Sequence, residues 1–252
     1  MAEERGRAKG AAGAGAGDEF QAATKYVRKS IPARELDWEH KPAHYKVVEN
    51  AISEIKLPEP AREGGRPIWD TLQNRRTRRT YKPEPLALAE VSQVLWAGNG
   101  KTKEGRESCL RTAPSAGALY PIELYLMVNN VSGLEKGIYY YDVPGHSLLL
   151  LREGSFAEEA ASAALGQNTL AKSGAVVFMT AVIERTRWKY NQRAYRYIYM
   201  DAGHICQNLC LASEALGLGQ CPIGAFYDDE VNNVLGIDGV NETVFYAVTI
   251  GK

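Results

Sequence analysis

Residues 190–216 read YNQRAYRYIYMDAGHICQNLCLASEAL. Ile198, Ala202, Ile205, Leu209, Ala212 and Leu216 recur at steps of three and four, so they share one face of a helix. At 1.5 Å per residue the stretch from Tyr190 to Leu216 would span roughly 40 Å, the width of a small domain. An apolar stripe of that length must be covered along its extent, which predicts a central helix with the remaining elements packed around it.

Working outward, Ala175 to Ile183 (AVVFMTAVI) is nearly all apolar, the pattern of a strand buried on both faces. Thr243 to Ile250 (TVFYAVTI) reads as a final buried strand, and Ile122 to Val128 (IELYLMV) as another. Gly137 to Tyr141 and Ser147 to Leu151 form a hairpin-like pair around Pro144-Gly145. Helical patterns cover the start at Ile68, then Leu88 to Leu95 closed by Gly98 and Gly100, and the alanine-rich Phe156 to Leu165. Asp228 or Asp229 is placed to cap a last helix through Leu235. Helices alternating with buried strands predict an α+β protein with a mixed central sheet.

Lys plus Arg and Asp plus Glu each number 30 among 252 residues, so the formal net charge is zero. A nucleic-acid or membrane-surface binder would need a basic excess, and neither class is expected. No run of eighteen apolar residues predicts a transmembrane helix. The N-terminus lacks the apolar core of a signal peptide, so the cytoplasm is the expected compartment. Cys109, Cys206, Cys210 and Cys221 are too few and too irregular for a disulfide framework. Cys206 and Cys210 share a helix face without further ligands in view, so the cysteines read as packing residues and no metal site is expected. Residues 1–18 read as a flexible Ala/Gly-rich tail and 19–67 as an extended arm with isolated anchors such as Trp38 and Tyr45. Residues 68–252 form the expected domain.

Four segments can carry chemistry. Arg75-Arg76-Thr77-Arg78-Arg79 concentrates planar donors suited to phosphate, although such a run also makes a solvated face. The small residues Ser115, Ala116, Gly117 and Ala118 within Arg111–Pro121 let backbone approach a flat ligand closely, or simply form a loop feeding a strand. Cys221-Pro-Ile-Gly-Ala-Phe226 is a turn able to aim backbone amides at a ring atom. Lys189 and Tyr190 can serve as acid, base or substrate donor, while the tyrosines nearby serve equally for packing. His204 fits a packing or a site role. No Ser–His–acid arrangement, GxGxxG or Walker loop is evident.

Together these segments resemble the nitroreductase superfamily of FMN-dependent oxidoreductases, and within it the SagB-type dehydrogenase branch that includes azoline dehydrogenases. The resemblance runs from about Leu36 to Lys252. It rests on RRTRRTY at 75–81, LWAGNGKT at 95–102, RTAPSAGALYPIELYL at 111–126, YRYIYMDAGHICQNLCLASEALGLG at 195–219, CPIGAF at 221–226 and the ending TIGK. It implies a three-layer α-β-α fold, an intertwined homodimer and FMN bound between subunits. By motif, Arg75 and Thr77 would hold the phosphate with Arg76 adjacent, and Arg79 would reach the flavin N1–C2 edge. Pro114, Ser115 and Ala116, from the partner subunit, would lie along the ring and ribityl chain. Pro222, Ile223, Gly224 and Ala225 would cover the ring, with Lys252 a further phosphate contact and Asn168 a polar flavin contact. The implied activity is hydride transfer through flavin N5 between a reductant such as NAD(P)H and a small acceptor. The alternatives are azoline dehydrogenation of a modified peptide, with Lys189 and Tyr190 catalytic, and a non-catalytic flavin-binding module.

Overall fold

The three most apolar runs of the chain become strands of one sheet, because only a sheet covered on both faces can bury every residue of such runs. The structure, a computed structural model, describes residues 15–28, 35–105 and 109–252. Contacts divide the chain into two units, Met1–Asp37 and Trp38–Lys252. Within the first, helix α1 (Ala16–Ala23) is closed at its start by the Asp18 carboxylate, which accepts from the Gly15 amide at 3.2 Å. Of the expected N-terminal tail, residues 1–14 lie outside the described residues, and Ala16–Asp18 open this helix.

The second unit begins with residues expected as an arm, and part of that stretch forms strand β1 (Ser53–Lys56), paired along β6 of the main sheet. Helices α2 (Ile68–Asn74) and α3 (Leu88–Asn99) follow, then the short ribbon β2 (Lys101–Lys103) with β3 (Leu110–Arg111). Next come β4 (Ile122–Val128), β5 (Gly137–Asp142), β6 (Ser147–Glu153), α4 (Ala157–Ala163), α5 (Thr169–Lys172) and β7 (Ala175–Val182). Helices α6 (Ile183–Tyr190) and α7 (Ala194–Ala215), strand β8 (Gly219–Ile223), helix α8 (Asp228–Leu235) and strand β9 (Glu242–Gly251) complete it.

The sheet order is β1-β6-β5-β4-β7-β9-β8. Helices α3 and α7 cover one face through Val91, Val94, Leu95, Ile198, Ile205 and Leu209, while α4, α5 and α8 cover the other. This is the three-layer α-β-α arrangement. The edges are protected: β1 is short and carries the ion pair Glu54–Lys56 at 2.7 Å, and β8 carries Pro222.

Three expectations need correction. The sheet is not mixed, since every ladder in it is antiparallel. The long crossover α6–α7 joins β7 to β8, which do run in the same direction, but β9 lies between them and pairs antiparallel with both. Helix α8, with eight residues, is too short to recross the sheet, so β9 starts at the end where β8 stopped. The central helix is also shorter than its pattern. Asn191 has φ +49° and breaks the segment, leaving Tyr190 at the end of α6 and 22 residues in α7, about 33 Å. Finally, Tyr227 holds the position before α8 and makes no side-chain cap; Asp228 and Asp229 fall in its first turn, where their charge favours the helix dipole. No helix among the described residues is long and apolar enough to cross a membrane. All four cysteines are buried and free, as packing residues would be.

Candidate active site

Two groups of side chains use α7 as a common wall, one around Asp201 and the other around Cys206 and Cys210. Asp201 and Cys206 are five positions apart on the helix, which puts them about 7.5 Å apart along the axis and about 140° apart around it.

The first group is built on the turn between β3 and β4. Ser115 Oγ donates to Asp201 Oδ2 at 2.6 Å and accepts from the Tyr120 amide at 2.9 Å. The Ala116 amide also bonds to Asp201, and the Ala118 amide donates to the Ser115 carbonyl at 3.0 Å. Between these anchors the backbone passes through the left-handed region at Gly117 (φ +67°), Ala118 (φ +53°) and Tyr120 (φ +46°). From below, Arg185 Nη1 donates to the Tyr120 carbonyl at 3.1 Å and to Glu123 Oε1 at 2.5 Å, and Tyr140 donates to Glu123 Oε2 at 2.9 Å. The Arg111 guanidinium stacks 4.7 Å from the Tyr120 ring.

Lys189 and Tyr190 close over this turn. A Cβ added at Gly117 would lie 2.8 Å from the Tyr190 hydroxyl and 3.1 Å from Lys189 Nζ, so the missing side chain is what admits them. The Tyr190 ring packs edge-on against Tyr197 at 4.7 Å, and Lys189 Nζ lies 5.6 Å from the Tyr190 centroid. Burial pushes the Asp201 carboxyl above the usual carboxylate range, against the pull of its bonds from Ser115 and Ala116. Burial likewise raises the Tyr190 hydroxyl, with Tyr197 and Asp201 adding to the shift. Among the described residues no carboxylate is paired with Lys189.

The second group lies along the edge strand β8. The Arg78 amide donates to the Gln220 carbonyl at 2.8 Å, and Gln220 Nε2 donates to the Arg76 carbonyl at 3.1 Å. Tyr81 anchors the end of the segment on Thr249 at 2.5 Å, its ring against Gly219 and Gly251, where a Cβ would come within 3.1 and 2.6 Å. Arg78 is consumed internally: it and Arg66 clamp the buried Glu214 carboxylate at 2.9 and 2.8 Å. Arg75, Arg76 and Arg79 have no carboxylate partner among the described residues, although Arg76 donates to the Gln73 and Arg75 carbonyls. Arg75 faces Cys206 and Cys210 on α7, and Arg79 bonds to the Cys221 thiol. The Cys206 thiol is lowered chiefly by its bond with Cys210, while Cys210 is raised. Burial and the neighbouring Cys206 push the Tyr246 hydroxyl up to about 12, and its ring lies 3.5 Å from a Cβ added at the exposed Gly224.

The sequence-derived residues thus fall into both groups. Arg75, Arg76, Thr77, Arg79, Pro222, Gly224 and Ala225 line the second, and Pro114, Ser115, Ala116, Lys189 and Tyr190 the first. Ile223 turns its side chain into the core below the sheet. Lys252 makes an ion pair with Glu90 of α3, and Asn168 holds the N-terminal position of α5. It is Gln167, one residue earlier, that reaches the Ala225 carbonyl at 2.9 Å. His204 is exposed on α7. Ser92 and Tyr141 do meet His146, at 2.8 and 2.9 Å, but Ser92 donates to the Pro58 carbonyl and no acid among the described residues completes the set.

Asp201, Arg185, Glu214 and Tyr246 were not singled out from sequence. Two of them left a readable signal: Asp201 sits between Ile198 and Ile205 on the apolar stripe, and Glu214 four residues after Cys210. A carboxylate on a buried stripe has to be partnered.

For FMN, the group that the resemblance implies, the donors present are suitable. Guanidiniums without a carboxylate partner among the described residues, at Arg75, Arg76 and Arg79, together with the exposed Thr77 match a phosphate and an electron-rich ring edge. Close by, Gln220 Oε1 is buried without a hydrogen-bond partner.

The nitroreductase family profile matches residues 72–252. A protein of Methanocaldococcus jannaschii named as a nitroreductase is 41% identical over 186 residues, covering 74% of this chain and 87% of that one. The trifolitoxin-processing protein TfxB of Rhizobium leguminosarum is 32% identical over 180 residues, covering 68% of this chain and 48% of TfxB. A crystal structure from Anabaena variabilis, described as a nitroreductase, superposes with a TM-score of 0.76 at 32% identity, covering 93% of this chain and 46% of that chain. The chain thus spans about half the length of these last two relatives. The fold is also shared with a Desulfovibrio desulfuricans nitroreductase in complex with FMN, at 18% identity and a TM-score of 0.51, covering 75% of this chain and 87% of that one.

Proposed function

The chain belongs to the nitroreductase family, and we propose that it is an FMN-dependent oxidoreductase acting as a homodimer, with NAD(P)H as reductant and a small oxidised acceptor. The observation that carries this reading is the division of the site by α7. One chain offers Arg75, Thr77, Arg79 and the Gly224–Ala225 backbone on one side, and Pro114–Ala116 with Lys189 and Tyr190 on another. Two copies about a two-fold axis would set the turn of one against the arginines of the other.

In this reading Arg75 and Thr77 hold the phosphate, with Arg76 beside them. Arg79 brings a positive charge to the N1–C2 edge, and Pro222 to Ala225 present backbone to the ring. Bound FMN supplies reversible two-electron hydride chemistry, while the protein supplies position and field. Lys252 would have to leave Glu90 to reach a phosphate, and Asn168 would act beside Gln167, so the weight of the assignment rests on Arg75 and Arg79.

A second reading is favoured by Lys189. An amine without a carboxylate partner, held with the Tyr190 hydroxyl at the surface of the turn, suits removal of a proton from a bound heterocycle. Azoline dehydrogenation of a modified peptide is that kind of reaction, and TfxB is named for the processing of trifolitoxin. Lys189 in its neutral form would take the proton and Tyr190 would steady it.

The test is the absorption spectrum of the purified protein, identification of any released chromophore, and anaerobic addition of NADH and NADPH. Released FMN that bleaches with a pyridine nucleotide supports the first reading. FMN that resists both nucleotides favours the second, in which Lys189→Ala should end turnover and leave FMN bound. A colourless protein that takes up no added FMN overturns both.

A further inference from the structure

We propose that Asp201 is a positioning residue that holds the 115–120 turn closed against Lys189 and Tyr190. The turn has little reason to keep its shape on its own. Three of its residues lie at positive φ, and two of those, Ala118 and Tyr120, carry a Cβ that makes this conformation unfavourable. Such a turn persists only where its surroundings over-determine it, and the bonds that do so converge on one carboxyl. Asp201 takes the Ser115 hydroxyl and the Ala116 amide, and Ser115 in turn takes the Tyr120 amide. The first and last residues of the turn are therefore tied to the same point on α7.

That point is rigid. Asp201 is 4% exposed and lies between Ile198 and Ile205, both packed into the core beneath the sheet-covering helices. The turn's closeness to the reactive pair follows from the tether: Gly117, midway between the tied ends, is the residue whose missing Cβ faces Tyr190 and Lys189. Losing the carboxyl would let Gly117 withdraw, and the backbone that meets the flavin in the reading above would move with it. The placement of the turn stands on the contacts alone; its bearing on flavin rests on that reading.

The experiment compares the full-length wild type with Asp201→Ala, Asp201→Asn and Ser115→Ala by hydrogen exchange and by FMN titration. In Asp201→Ala the Ala116 and Tyr120 amides should exchange about tenfold faster or more, as expected when local opening becomes easier. Strands β4 and β7 should keep wild-type protection. Asp201→Asn keeps an oxygen acceptor in place and should restore protection of the turn. Where FMN binds, its absorption band should shift in the alanine variant and return in the asparagine variant. Should Asp201→Ala fail to fold, Ser115→Ala removes the same link from the partly exposed side and should loosen the Tyr120 amide alike. Wild-type exchange in both alanine variants, or no rescue by asparagine, overturns the proposal. A wild type that takes up no FMN removes the flavin reading and leaves the exchange comparison to decide the tether.

Discussion

The two halves of the candidate site are made by opposite means. The 114–120 turn is tied through Ser115, Ala116 and Tyr120 to the buried Asp201 and Arg185, and holds three residues at positive φ. The 75–79 segment is tied to β8 by its backbone and leaves Arg76, Thr77 and Arg79 exposed. One half fixes a shape and the other keeps charge available. A recognition site for a rigid, charged ligand needs both, since free charge without a fixed wall gives affinity with little orientation.

The sharpest way to break the contrast is to remove the ion pair beneath the turn. Arg185→Leu leaves Glu123 charged and about 1% exposed, and should cost about 3–5 kcal/mol in chemical denaturation. Adding Glu123→Leu should recover part of it. A loss no larger than that of an exposed substitution would show that the turn stands without the pair.

The other half should respond in binding and hardly in stability. Arg75→Ala should weaken FMN binding by about 1.5–3 kcal/mol, or roughly 10- to 150-fold in Kd, with little change in unfolding midpoint. Unchanged flavin content would remove Arg75 from the phosphate site.

Gly117→Ala tests shape alone. Its φ of +67° and the 2.8 Å approach of Tyr190 both oppose a methyl group, at about 1–2 kcal/mol for the backbone conformation. Turnover that depends on Lys189 should fall while FMN remains bound. Wild-type turnover would mean that the close approach is incidental.

The smallest effect is a pH dependence peculiar to the buried half. Because burial raises the Asp201 carboxyl in the folded state, the folded protein holds that proton more tightly than the unfolded chain. The resulting stability is full below the unfolded value of about 3.9 and is lost as pH rises from there through the folded value. The stability of wild type relative to Asp201→Asn should therefore decline as pH is raised from about 4. A flat difference would mean that the carboxyl titrates alike in both states.

Much of the scaffold was legible because its signals are local. The runs at 122–128, 175–183 and 243–250 became strands β4, β7 and β9 within a residue or two, since a continuous apolar run fits a sheet covered on both faces. The i, i+3, i+4 stripe of α7 was equally plain. The break at Asn191 was not, because nothing in the neighbouring pattern requires a residue at positive φ. In the site, residue chemistry drew attention to the arginines, the Pro-Ser-Ala turn and the Lys-Tyr pair. It could not say which arginine would be spent: Arg78 pairs with Glu214, 136 residues away, and its neighbours do not.

By itself, then, the sequence determined which segments form helices and buried strands and which side chains bring charge and hydroxyls to the candidate site. Hydrophobic periodicity and side-chain type are local properties and survive in any register. Only the tertiary structure decided that β9 enters between β7 and β8, that Asp201 and Glu214 each anchor a site segment, and that α7 divides the site into two sides. Those outcomes depend on long-range pairing, where the burial of one carboxylate or the direction of one strand is settled by residues a hundred positions distant.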